Sequence, residues 1–137
     1  MRQEIYNRIK ERLTEEGIAA HVELWNRNIE FIEQETNWPM PAVFVEFDPI
    51  DWRPTTKERS NGLTLLRCTA TLKLHVVTSW NGDETEPLSY GGRIRAAIEG
   101  MEGDLFCHLK LLQTHTNHDH EEIVESVEVY SYDGLMG

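Results

Sequence analysis

From Leu66 to Val76 the even positions read Leu66, Cys68, Ala70, Leu72, Leu74 and Val76, while the odd ones read Arg67, Thr69, Thr71, Lys73 and His75. A period of two belongs to a strand, whose side chains point alternately to its two faces. The run therefore predicts a strand with one apolar face and one that meets water or a partner. A second strand is predicted from Pro41 to Asp48. Pro39 and Pro41 exclude a helix before Ala42, and the β-branched and aromatic residues that follow suit a pleated surface. Val43, Val45 and Phe47 fall on one face and Ala42, Phe44 and Glu46 on the other. With one side apolar and the other mostly so, this strand belongs inside a sheet.

Helical spacing appears twice. Ile5, Ile9 and Leu13 recur every four residues among Arg8, Lys10, Glu11 and Arg12, and the pattern stops at Gly17, which predicts an amphipathic helix with a glycine C-cap. Ile94, Ala97, Ile98 and Met101 make a second stripe, begun near Pro87 and ended at Gly100 or Gly103. Gly91-Gly92 near its start offers room for another backbone to approach. Between the first helix and the prolines, His21 to Leu24 alternates as a short strand, followed by a helical turn or two through Ile32. Two more strands are predicted from Leu105 to Thr114, with Cys107, Leu109 and Leu111 on one face, and from Ile123 to Tyr132, with Val127 and Val129. Trp52 to Asn61 is read as a long polar loop, Asn81-Gly82-Asp83 as a turn, and Thr116 to His120 as a histidine-rich turn. The order predicts an α+β fold: an antiparallel or mixed four- to five-stranded sheet with two helices packed on one face.

The length of 137 residues predicts a single domain spanning 1–137, large enough to bury a core without disulfides or metal. Thirteen Lys and Arg stand against 24 Asp and Glu, a formal charge of −11. That balance argues against sequence-independent grip on phosphate, which needs a basic footprint. It suits a surface that nucleic acid passes without adhering. No apolar run approaches the length of a membrane-spanning helix, and Met1-Arg2-Gln3-Glu4 lacks the apolar core of a signal peptide, so a cytoplasmic protein is expected. Cys68 and Cys107 are too few for a disulfide framework or a four-thiolate zinc site. Both are expected as buried, inward-facing residues of strands.

Candidate chemistry is sparse. His115, His118, Asp119 and His120 form the densest set of potential metal ligands, with His75 and His108 elsewhere. The set approaches a binuclear hydrolase pattern but has Asn117 where a second histidine is needed, and His120-Glu-Glu-Ile-Val124 lacks the second histidine of a helical zinc protease. A polar hairpin turn accounts for it more simply, and a small metal-dependent hydrolase using this turn stands as the alternative. Glu15-Glu16 and Glu121-Glu122 read as solvated faces. No phosphate loop or nucleophile elbow is present, so no catalytic residue, metal or cofactor is assigned. Trp25, Trp38, Trp52 and Trp80 fall near the ends of predicted elements. Trp52, with Lys57 and Arg59 in the adjoining loop, and Trp80 beside Asn81-Gly82 are the candidates for partner contact, because exposed aromatic and arginine side chains anchor interfaces.

Met1-Arg-Gln-Glu-Ile-Tyr6, Val22-Glu-Leu-Trp-Asn26, Pro41-Ala-Val-Phe-Val-Glu-Phe47, Leu72-Lys-Leu-His-Val-Val77 and His118-Asp-His120 before Val127-Glu-Val-Tyr130 resemble, in order, segments of small bacteriophage tail-terminator (tail-completion) proteins. The resemblance implies a structural, non-enzymatic virion protein of α+β fold that assembles in the host cytoplasm and resides in the tail or neck. It implies a homohexameric ring that caps the head-proximal end of the tail tube, stops tube polymerisation and docks the head-completion or connector protein. DNA would pass through its lumen without specific binding, and no membrane is involved. A different neck or tube protein of related fold is the alternative within the same class. The family supplies no catalytic residues to carry over.

Overall fold

The computed structural model describes residues 1–25, 38–58, 62–79, 85–117 and 123–136. In chain order these residues form α1 (Arg2–Glu15), β1 (His21–Leu24), β2 (Ala42–Phe47), β3 (Arg53–Glu58), β4 (Thr64–Ser79), α2 (Glu86–Ile98), β5 (Phe106–Asn117) and β6 (Ile123–Met136). One six-stranded sheet runs β1-β2-β4-β6-β5, with β3 paired to the other end of β4. Only β1 and β2 are parallel; every other pairing is antiparallel. The sheet is thus mixed and both helices lie on one face, as the sequence predicts, but it has six strands rather than four to five because Arg53–Glu58 adds β3. The predicted helical turn through Ile32, together with Arg59, Trp80 and the turn residues His118 to His120, lies outside the described residues.

Hydrophobic spacing explains α1 directly. Ile5, Ile9 and Leu13 are fully buried. Gly17 then takes the left-handed conformation at φ +66, and the amides of Gly17 and Ile18 donate to the carbonyls of Thr14 and Leu13. This paired closure satisfies carbonyls that the helix end would otherwise leave without partners, and it turns Ile18 back into the core beside Leu13. The Glu4 carboxylate accepts from the amides of Asp104 and Leu105 at 3.2 and 3.0 Å, tying the first helix to the entry of β5.

The central strand β4 carries the helix-facing core. Cys68, Ala70, Leu72, Leu74 and Val76 pack with Val43 and Val45 of β2, Tyr130 and Tyr132 of β6, and Ile94, Ala97 and Ile98 of α2. Each fully buried leucine here contributes roughly 1.5–3 kcal/mol relative to exposure. The tyrosines of β6, rather than Val127 and Val129, face this core. Burial pushes the Tyr132 hydroxyl up to about 12, and raises that of Tyr130 as well. Gly91 of α2 sits where an added Cβ would lie 2.6 Å from Glu128 Oε1, so its small size admits a buried carboxylate rather than the neighbouring backbone expected from the sequence.

Two further readings are corrected. The stretch from Trp52 to Asn61 is not wholly loop, since Arg53–Glu58 form β3. Pro54 is admissible there because β3 pairs with β4 alone among the described residues, and proline in sheets is confined to such edge strands and to irregular registers like the one between Pro54 and Glu58. Cys107 does not face inward with Leu109 and Leu111. The register of β5 on β6 slips between Cys107 and Lys110, where His108 has φ +57. One extra residue reverses the alternation: Phe106 and Leu109 join the core while Cys107 turns to the opposite face.

Candidate functional site: the sheet face away from the helices

The face opposite the helices is made by the odd positions of β4, the even positions of β2 and the odd positions of β6. It changes character along the strands. At one end Ala42, Phe44, Val77 and Ile123 form a second, smaller apolar cluster, against which Trp25, Trp38 and Met40 pack. The Trp25 and Trp38 rings both meet Phe44 edge-on, with centroids 6.2 and 5.1 Å away.

Beside this cluster sits a largely buried group of ionisable side chains. The His75 ring stacks on Trp25 with centroids 3.7 Å apart and planes 12° from parallel. Its Nε2 lies 3.6 Å from Glu46 Oε1, and its Nδ1 lies 3.5 Å from Glu125 Oε2. Asn117 donates to the other oxygen of Glu125 at 2.8 Å. Glu46, His75 and Glu125 come from three adjacent strands, β2, β4 and β6, and meet on this face. Further along, Lys73 Nζ lies 3.2 Å from Asp48 Oδ1, and the Thr71 hydroxyl donates to Asp48 Oδ2 at 2.6 Å.

At the far end, Thr69 donates to Asp133 Oδ1 at 2.8 Å, and His108 Nδ1 lies 2.6 Å from Asp133 Oδ2. The Cys107 sulfur is 3.5 Å from the same His108 nitrogen. Hydrogen bonds from His108 and Thr69 hold the Asp133 carboxyl below the usual carboxylate range. The Cys107 thiol is pushed up by burial and by the charges of Asp133 and Glu102. A protonated thiol beside an ionised carboxylate is not an activated nucleophile. Nor do the three groups form a relay, because one ring nitrogen faces both neighbours.

The candidates named from sequence are placed unevenly. Trp52 is half-buried, packed against the helix-side core in a cleft of about 720 Å³ lined by Met1, Phe47, Ile50 and Met136. Lys57 lies on β3, whereas Arg59 and Trp80 are beyond the described residues. His115 is exposed on β5, extending the strand past the predicted turn boundary. The structure brings together two clusters that sequence reasoning missed: Glu46, His75 and Glu125, and Cys107, His108 and Asp133. For the first a signal existed, since each is an ionisable residue inside an otherwise strand-like run. The second depends on a bulge and on a pairing 25 residues apart, for which the sequence carries no local sign.

The fold has a counterpart among solved structures. A chain in the structure titled "Virion of native gene transfer agent (GTA) particle" superposes with a TM-score of 0.53 at 11% identity, covering 85% of this chain and 79% of that one. At that identity the likeness concerns the fold. No protein-family model matches the sequence, and no curated protein matches it. Among the described residues no helix is long and apolar enough to cross a membrane.

Proposed function

We propose that this chain is a structural virion protein of the tail-terminator kind: a non-enzymatic subunit that closes into a ring at the head-proximal end of a phage-like tail, halts tube growth and presents the surface on which the head docks. The observation that carries this reading is the shared fold with a chain of a gene transfer agent virion over most of both chains. The ordered resemblance of five segments to tail terminators supports it from the sequence side. The formal charge of −11 fits a lumen through which DNA moves without adhering. Another neck or tube protein of related fold is the reading nearest to it.

In this proposal Trp52, Lys57, Arg59 and Trp80 contact the tail tube or a neighbouring copy. Lys57 and Arg59 are two of only 13 basic residues in an acidic chain, so a partner that meets them gains opposite charge at a defined place. Trp52 also packs against the core, so the clean test leaves it in place. The double variant Lys57→Glu/Arg59→Glu is expected to fold with unchanged circular dichroism while producing overlong or headless tails in a complementation assay. Tails of normal length and full infectivity from that variant would remove this contact surface from the proposal.

A further inference from the structure

We propose that Cys107, His108 and Asp133 form a site for a zinc-class divalent transition metal at the bulge of β5, separate from the histidine turn. One donor atom from each residue, Cys107 Sγ, His108 Nδ1 and an Asp133 carboxylate oxygen, lies within 4.8 Å of the others. Zinc binds sulfur at about 2.3 Å and nitrogen or oxygen at about 2.0–2.2 Å, so donors on one tetrahedral ion sit roughly 3.3–3.8 Å apart. The sulfur–nitrogen separation of 3.5 Å already meets that spacing. The nitrogen–oxygen separation of 2.6 Å widens to it by a small rotation of side chains that are 76% and 43% exposed.

Two features make this more than a chance grouping. Without the bulge, Cys107 and Asp133 would keep their places but strand alternation would send the imidazole of residue 108 to the opposite face; the left-handed backbone at His108 returns it. Thr69 holds the Asp133 oxygen that does not face the imidazole, the position of an outer-shell partner that orients a ligating carboxylate. A thiol, an imidazole and a carboxylate are the donors of zinc and its neighbours; magnesium and calcium prefer oxygen alone. With three protein donors, a fourth position is open to water.

Binding takes the Cys107 proton. The thiol loses it to solvent as the sulfur–metal bond forms, and His108 Nδ1 must be unprotonated to donate its lone pair. Because proton and metal compete for the same sulfur and nitrogen, affinity falls as pH is lowered.

Cobalt(II) titration of the purified full chain tests the site, because thiolate ligation gives a sulfur-to-cobalt charge-transfer band in the near ultraviolet. The expected result is one cobalt per chain with that band, displaced by zinc. Cys107→Ser should abolish the band and weaken binding by more than about 100-fold, whereas Thr69→Val should weaken it by about 10–100-fold, the range for an outer-shell partner. Circular dichroism of each variant confirms that these surface changes leave the fold in place. Failure to bind cobalt overturns the proposal. So does a band that survives Cys107→Ser, which would place the sulfur ligand at Cys68, or thiolate-free binding lost only on changing His118 and His120.

Discussion

The two faces of the one sheet are built on different physical terms. The helix-covered face is continuous and apolar from Cys68 to Val76 on β4 and closed by α1 and α2; Glu128 enters it beneath Gly91, and Thr78 adds a buried hydroxyl beside Pro87 and Tyr90. The opposite face carries the apolar cluster around Phe44 and Val77, and along the rest of it ionisable side chains meet among Val127 and Val129: His75 with Glu46 and Glu125, Lys73 with Asp48, and His108 with Asp133. Burial of hydrocarbon is non-directional, so the first face secures compactness; polar pairs demand particular neighbours, so the second leaves chemistry at the surface. The lesson is that an apolar core and a polar surface can be divided between the two sides of the same strands.

That division can be broken by substituting adjacent residues of β4. Leu74→Ala, on the helix side, should cost about 2–5 kcal/mol in urea unfolding, because it leaves a cavity where Leu74 is fully buried. Lys73→Ala, one residue away on the other side, should cost no more than about 1 kcal/mol, since it removes an ion pair whose lysine is 37% exposed. Equal losses would mean that the two faces contribute alike.

A smaller effect sharpens the comparison where Glu128 enters the helix side. The Glu128 carboxylate accepts hydrogen bonds from Thr114 and from Ser126, so it is not free to move away from an added methyl group. Gly91→Ala should therefore destabilise by about 1–3 kcal/mol. Gly92→Ala, where nothing lies within 4 Å of the new Cβ, should stabilise by about 0.5–1 kcal/mol through helix propensity. Matched midpoints for the two variants would show that Glu128 does not depend on Gly91.

How far the sequence foretold these faces follows from range. The alternation of β2 and β4 and the stripes of α1 and α2 are local, and their inward and outward residues were legible from spacing alone. β3 was not, because Arg53, Pro54 and Lys57 look like loop and only pairing with the end of β4 makes them a strand. Cys107 was misdirected by one inserted residue, which no periodicity announces. Trp25 and Trp38 were visible as end-of-element aromatics and Phe44 as a residue of a sheet-interior strand, but not that they gather into a cluster on the far face. Neither ionisable cluster could be assembled from spacing, because both join residues from strands distant in sequence. Trp52 was legible as a residue near the end of an element, and its half-buried place beside Ile50 and Met136 adds a core role to the contact proposed for it.

The most direct test of the proposed role is cryo-electron microscopy of purified particles that incorporate this chain, with the map searched for its six-stranded fold. A closed ring of copies between the last layer of the tail tube and the head connector is the predicted result. Density for the fold elsewhere in the particle, or absence of the chain from particles with complete tails, would contradict it.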